Sequence, residues 1–341
     1  MSDTNGSNSN STFGARAVAE GSGHQDLGHI HGEVVVGIDG SDQSYGALTW
    51  AVAEAKRRKV PVRLVTAYSL PVFTGTGFDS GYSVIDDKAL EDGVTQILDE
   101  ARRRVEDDDV ELRATVETGD ASGILLELSK RAELIVVGSR SARGFLGRLL
   151  GTVSTALPAK SHCPVVVVPL NWAKRHAEDA TILQPSHGVA VGSDGSDQAR
   201  IAILKAAEQA ERMGVGLKLV NALAPFTGAV NWVPAAVDFE AMYREVEDLQ
   251  NQAKEWISGF YPKLEVSAEL IDGSPVKVLI EAGQESDMIV VGTRGRGGLT
   301  GMILGSTSQG VLHSSDNPVM IVPELEDERI DSAPRPGVVW G

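Results

Sequence analysis

Val34-Val35-Val36-Gly37-Ile38-Asp39-Gly40-Ser41-Asp42 reads as a short apolar strand that runs straight into an Asp-Gly-Ser turn. The same phrase returns 155 residues later as Gly188-Val189-Ala190-Val191-Gly192-Ser193-Asp194-Gly195-Ser196-Asp197. Three further anchors keep nearly that spacing. Leu134-Ile135-Val136-Val137-Gly138 matches Met288-Ile289-Val290-Val291-Gly292 at an offset of 154. Gly151-Thr152 matches Gly305-Ser306, and Cys163-Pro164-Val165 matches Asn317-Pro318-Val319, at the same offset. A period this long means two copies of one domain rather than a solenoid, whose units run to only ~20–45 residues.

Working outward from these anchors, each copy alternates strand and helix patterns. Copy one has apolar strands at 33–39, 62–68, 110–118, 134–138 and 165–168. Copy two follows its first strand with others at 216–222, 264–271, 288–292 and 319–322. The first helix of copy one carries Leu48, Ala51, Val52 and Ala55 at helical spacing, and copy two repeats that stripe with Ile203, Ala206, Ala207 and Ala210. Second helices show Val94, Ile97, Leu98 and Ala101, then Phe239, Met242, Tyr243 and Val246. Ser274-Pro275 marks a helix start, a capping hydroxyl followed by proline at the first helical position. Continuously apolar strands fit a sheet covered on both faces. The pattern predicts two α/β domains, each a doubly wound parallel sheet of five strands with right-handed crossovers.

The domains are placed at 32–169 and 187–324, with a polar linker over 170–186 that includes Pro185. Residues 1–31, rich in Ser, Asn and Gly, and residues 325–341 read as disordered tails. The 341 residues suit two domains of ordinary size. Thirty-one Lys and Arg against 47 Asp and Glu give a net charge of −16, which argues against nucleic acid or an anionic membrane as a partner. No run of 18 apolar residues occurs and the N-terminus lacks a basic, apolar leader, so a cytoplasmic location is expected. A single cysteine, Cys163, excludes an internal disulfide and a cysteine-based zinc site. It reads as a buried thiol before a strand.

In an open parallel sheet, ligands bind beyond the carboxyl ends of the strands where the strand order reverses. The segment after the fourth strand of copy two has the skeleton Gly292-x2-Gly295-x9-Gly305-Ser306, with Arg294, Arg296 and Ser308 inside or just after it. Glycines permit close backbone approach, consecutive amides form an anion nest, and the helix start at Gly305-Ser306 favours phosphate. Ser306 and Ser308 add hydroxyl donors, and the arginines add charge-assisted ones. No Gly-x4-Gly-Lys-Ser/Thr motif is present and neither glycine loop holds a lysine, which speaks against a Walker-type NTPase.

This loop, set after an Asp-Gly-Ser first turn, closely resembles the universal stress protein family, in tandem over nearly all of 32–169 and 187–323. The resemblance implies Rossmann-like, adenine nucleotide alpha hydrolase-like domains. It also implies binding of an adenine nucleotide, most often ATP, with AMP or a cyclic nucleotide as alternatives. Mg²⁺ would accompany the phosphates; no protein metal site and no catalytic residue is implied. Carried over, Asp194 approaches the nucleoside, Ala222 supplies the adenine-side backbone, and Gly292, Arg294, Gly295, Gly305, Ser306 and Ser308 form the ribose and phosphate loop. In copy one the matching positions are Asp39, Ala67, Gly138, Gly151, Thr152 and Ser154, but Ser141 replaces the second glycine. The implied role is a stress-response nucleotide sensor or regulator. Rival readings are a weak ATP hydrolase or phosphotransferase and a nucleotide-independent scaffold. The two copies are expected to pair as a pseudo-dimer along their fifth strands, with a further homodimer open.

Other features read as ordinary. His24, His29 and His31 lie in the N-terminal tail, Glu106 to Asp109 reads as a solvated turn, and Trp232 as a packing residue in the loop after the second strand of copy two. The loops at about 69–86 and 224–235 are the natural mobile elements beside the pocket.

Overall fold

The computed structural model of the chain describes residues 32–68, 87–105, 110–139, 150–176, 185–223, 239–295 and 304–335. The tail histidines, the acidic run, Trp232, Arg140, Ser141, Arg296 and both loops singled out above lie outside these residues.

Domain one comprises β1 (Val34–Gly37), α1 (Asp42–Arg58), β2 (Val62–Tyr68), α2 (Asp87–Arg104), β3 (Leu112–Thr118), α3 (Ala121–Leu128), β4 (Leu134–Gly138), α4 (Thr152–Lys160) and β5 (Val165–Val168). A helix α5 (Leu170–His176) follows. Domain two repeats the order with β6 (Val189–Gly192), α6 (Asp197–Met213), β7 (Leu217–Leu223), α7 (Phe239–Phe260), β8 (Val266–Asp272), α8 (Pro275–Gln284), β9 (Met288–Gly292), α9 (Ser306–Ser314) and β10 (Val319–Val322).

Each domain contributes five parallel strands, and all ten form one sheet in the order β3-β2-β1-β4-β5-β10-β9-β6-β7-β8. The order reverses between β1 and β4, and again between β6 and β9. Strand alternation divides the core in two. Val34 and Val36 face one layer, where α1, α2, α5, α6 and α7 pack. Val35, Ile135 and Val137 face the other, which holds α3, α4, α8 and α9. Cys163 belongs to this second layer, and burial pushes its thiol up to about 12, so it is a packing residue.

The fifth strands meet antiparallel, Val319 opposite Val167 and Ile321 opposite Val165. This pairing removes two open edges that would otherwise invite foreign strands. Above it, Glu54 of α1 is fully buried. Arg58 Nε donates to Glu54 Oε1 at 2.6 Å, and Gln209 Nε2 of α6 donates to Glu54 Oε2 at 2.7 Å. Arg58 also donates to Gln209 Oε1 at 3.0 Å and to Glu133 at 2.5 Å. Glu54 and Gln209 occupy equivalent positions of the repeat, so the seam joins unlike residues across a pseudo-twofold.

Two expectations are corrected. The stretch from 170 is not a polar linker at its start: Leu170, Trp172 and Ala173 give it an apolar side, and α5 buries Trp172 and Ala173. Ala173 sits so close to α1 that a Cβ on Gly46 would lie 2.2 Å from its own Cβ. The stretch after 324 is not a free tail as far as Arg335. A short 3₁₀ helix, Glu328–Ser332, docks with Ala333 buried and with Leu325 and Ile330 against the core. Arg329 anchors it through Glu208 Oε1 at 2.6 Å and Tyr261 Oη at 2.7 Å. Arg329 also binds Asp327 and holds that carboxyl below its ordinary range. Burial pushes Glu208 up, but Arg329 and Lys205 outweigh it and hold that carboxyl below its ordinary range as well, so the ion pair to α6 supports docking above the usual carboxylate pKa near ~4 and is lost as pH falls through the lowered value.

Two outcomes follow from the fold. Glu54→Ala leaves Arg58 buried with one of its two carboxylate partners gone. Loss of a buried ion pair's partner typically destabilises by ~3–5 kcal/mol, so chemical denaturation should show a drop of about that size. Lys59 ends α1 with φ 59°, where the equivalent α6 position has Gly214 at φ 69°. Left-handed backbone penalises a side chain by ~1–2 kcal/mol, partly offset by the greater freedom of glycine when unfolded. Lys59→Gly should raise the stability of domain one by roughly 0.5 kcal/mol in the same experiment.

Candidate functional site

A cleft opens at the carboxyl ends of β6, β7 and β9, at the reversal point of domain two, and encloses about 1010 Å³ including its mouth. One side is the Asp-Gly-Ser turn. Asp194 Oδ1 accepts from Ser196 N at 2.9 Å and from Ser196 Oγ at 2.6 Å. Ser196 Oγ in turn accepts from Ala199 N at 3.2 Å and caps α6. Gly195 between them has φ 77°, a backbone that side chains resist. The three residue types thus form one device: a carboxylate pinned by the helix start behind it, with its second oxygen, Oδ2, facing Gly295. A Cβ on Gly295 would stand 2.3 Å from that oxygen, so a side chain here would push the carboxylate aside.

The opposite side is the start of α9. Gly305 N donates to Thr293 O at 2.7 Å, and Gly305 then serves as the N-cap without any side-chain cap. The contrast with other helices is informative. α1, α3, α6 and α8 are capped by the side chains of Ser41, Asp120, Ser196 and Ser274. Only α4 and α9, among the described N-caps, begin at glycine with the first-turn amides left without a side-chain acceptor. In α9 those amides belong to residues lining the cleft: Ser306, Thr307 and Ser308. A hydrogen bond to a charged group contributes ~1.5–3 kcal/mol, against ~0.3–1 for the helix dipole alone, so the amides dominate.

The described domain-two residues assigned to the site from sequence fall on this cleft: Asp194, Ala222, Gly292, Arg294, Gly295, Gly305, Ser306 and Ser308. Ser308 has a different part from the one expected. Its Oγ is buried and donates to Gly292 O at 2.6 Å, so the hydroxyl proton ties α9 to the end of β9 and is not offered to a ligand. Ser154 does the same in domain one, donating to Ser139 O at 2.9 Å. There Asp39 Oδ1 accepts from Ser41 N at 3.0 Å and Ser41 Oγ at 2.6 Å, Gly138 ends β4, Gly151 caps α4, Thr152 begins it, and Ala67 lies on β2. A Cβ on Gly138 would press the Gln43 backbone at 2.7 Å.

Sequence reasoning missed the apolar wall. Val220, Leu279 and Val291 line it with Pro275, and Asn221 adds a polar side chain. Leu279 reaches the cleft only because α8 crosses the face of β6 and β7, which a local reading does not show. Ser193 was also passed over: its Oγ donates to Gln250 Oε1 at 2.7 Å and fixes α7 to the end of β6. Among the described residues no three His, Cys, Asp or Glu side chains gather as a metal site, and no helix is long and apolar enough to cross a membrane.

Comparison with known proteins agrees with this architecture. The pattern of the universal stress protein family matches residues 32–169 and 187–323. A universal stress protein of Mycobacterium tuberculosis is 34% identical over 297 residues, covering 85% of this chain and 96% of that protein. A second one from the same species is 31% identical over 311 residues, covering 89% and 98%. The crystal structure of a universal stress protein from Archaeoglobus fulgidus superimposes with a TM-score of 0.60 at 22% identity, over 85% of this chain and 98% of that one, a likeness of fold. The chain belongs to the universal stress protein family.

Proposed function

We propose that the domain-two cleft binds an adenine nucleotide, with ATP the best fit, and that its occupancy regulates what the protein contacts. The observation that supports this most is the uncapped start of α9 facing the pinned carboxylate of Asp194. The amides suit the phosphates. Asp194, an acceptor, suits the ribose hydroxyls. The wall of Val220, Leu279 and Val291 suits a flat base. Arg294 lines the mouth and adds positive charge on the phosphate side. The cleft offers one carboxylate already engaged by Ser196, so Mg²⁺ would arrive on the nucleotide and keep its waters. Domain one repeats the turn and the uncapped helix, and the same phosphate chemistry is assigned to it.

A regulator needs a second element whose state depends on the ligand, since a ligand shifts an equilibrium only by its differential affinity. Arg200 supplies the link. Its guanidinium donates to Gly195 O at 3.0 Å, inside the Asp-Gly-Ser turn, and to Pro334 O at 2.9 Å, in the docked C-terminal segment. Arg200 is buried and also pairs with Asp197. Movement of the turn on binding is thereby passed to residues 324–335, at the protein surface.

Calorimetric titration of the full chain with Mg-ATP tests the reading. The expected result is one ATP site assignable to domain two, weakened at least tenfold by Gly295→Val, whose side chain would displace Asp194. A flat titration of the unsubstituted chain contradicts it and favours a scaffold without nucleotide.

A further inference from the structure

Among the described residues, two buried side-chain polar atoms have no hydrogen-bond partner: Thr66 Oγ1 and Glu117 Oε1. Both flank Ala67 near the carboxyl end of the β2–β3 pair. Thr66 precedes Ala67 in the chain, and Glu117 is its in-register partner on β3. In-register residues of adjacent parallel strands lie about 5 Å apart on the same sheet face. Side chains alternate along a strand, so Thr66 lies on the face of Leu64, whereas Glu117 shares the opposite face with Val65 and Ala67. Native structures pair nearly all shielded polar atoms, so the unpaired Glu117 oxygen marks a place that a ligand completes.

Domain two is different at the same two places. Asn221 stands where domain one has Thr66, and Ile271 pairs in register with Ala222 as Glu117 does with Ala67. Asn221 and Ala222 line the domain-two cleft, and Ile271 packs as a partly buried apolar residue against the same core layer as Ala222. Beside Ala222 this sheet face therefore carries an apolar side chain, and beside Ala67 a carboxylate. The described frame around it is shared, with the Asp39 turn, Gly138 closing β4, and α4 starting at Gly151 without a side-chain cap, while Ser141, outside the described residues, stands where domain two has Gly295.

A carboxylate presents acceptors only. Adenine shows it one donor, the 6-amino group, beside the N1 lone pair, which faces a carboxylate oxygen with like polarity. Guanine shows N1–H and the 2-amino group side by side, two donors that match two carboxylate oxygens in a bidentate pair. We propose that the domain-one site takes a guanine nucleotide, read by Glu117, so that a single chain holds two different purines. This rests on the nucleotide reading of the paired clefts given above.

The test is competition on the full chain. ATP and GTP are titrated alone and together into the unsubstituted protein, into Gly295→Val, and into Glu117→Gln, with folding of each variant checked by circular dichroism. The expected result is one ATP and one GTP bound per chain, with Gly295→Val keeping GTP. Glu117→Gln replaces one acceptor by a donor and should weaken GTP tenfold or more, the loss of about one charge-assisted bond. If Gly295→Val binds ATP as tightly as GTP, or if folded Glu117→Gln binds GTP unchanged, the proposal is wrong. A chain that takes ATP at one site and no GTP overturns this inference alone; a chain that takes neither overturns the nucleotide reading with it. Should Glu117→Gln not fold, the competition on the unsubstituted chain and Gly295→Val still decides.

Discussion

Helix α9 begins without a side chain to satisfy its first amides, and the rest of the domain-two site is arranged around that start. Four amides at a helix N-terminus have no partner within the helix. At α1, α3, α6 and α8 Ser or Asp side chains supply one. At Gly305 the chain gives up its own cap, and Gly305 N instead holds Thr293 O. Ser308 then fastens the first turn to the end of β9 through Gly292 O. The amides are thus fixed in place yet left for something from outside. Gly295 keeps Asp194 within reach on the other side, because any side chain there would occupy the position of its carboxylate oxygen. Fold and site are one constraint: the strands end together, the helix starts beside them, and glycine is the residue that lets both approach.

Duplication made two such sites, and the seam between them shows how the copies diverged. The ladder from β5 to β10 depends on backbone groups alone and is close to symmetric. The side chains above it are not. Glu54 meets Gln209, with Arg58 serving both, where two glutamates would repel and two glutamines would leave Arg58 with Glu133 as its carboxylate partner. After their last strands the two domains also part ways. One places a helix with Trp172 on α1, and the other lays a 3₁₀ turn against α6 and α7 through Arg329. Glu117 against Ile271 continues that divergence at the carboxyl ends of β3 and β8. Backbone geometry stayed common while side-chain chemistry separated the two halves.

Much of this was legible in the amino-acid sequence because it depends on local signals. The continuous valine runs at 34–36 and 165–168, the caps at Ser41, Ser196 and Ser274, and the spaced glycines each act within a few residues of where they stand. What escaped depends on distant neighbours. Leu170, Trp172 and Ala173 are too few to announce a helix, and they become one because α1 offers Gly46 as a seat. The segment after 324 looks like a tail until Glu208 and Tyr261, 121 and 68 residues away from Arg329, are brought beside it. Ser308 looked like a ligand donor because its alternative acceptor, Gly292 O, lies 16 residues back at the end of another element. Leu279 gave no sign of lining a site, since its place is set by a crossover.

The central claim is that the amides opening α9 are held ready for an anion. Residue-resolved amide hydrogen exchange of the full chain, with and without ATP, addresses it directly. The account predicts that Ser306, Thr307 and Ser308 exchange slowly only when ATP is bound, with the capped start of α8 unchanged. Equal exchange at these three amides in both states, with protection arising elsewhere, would contradict it.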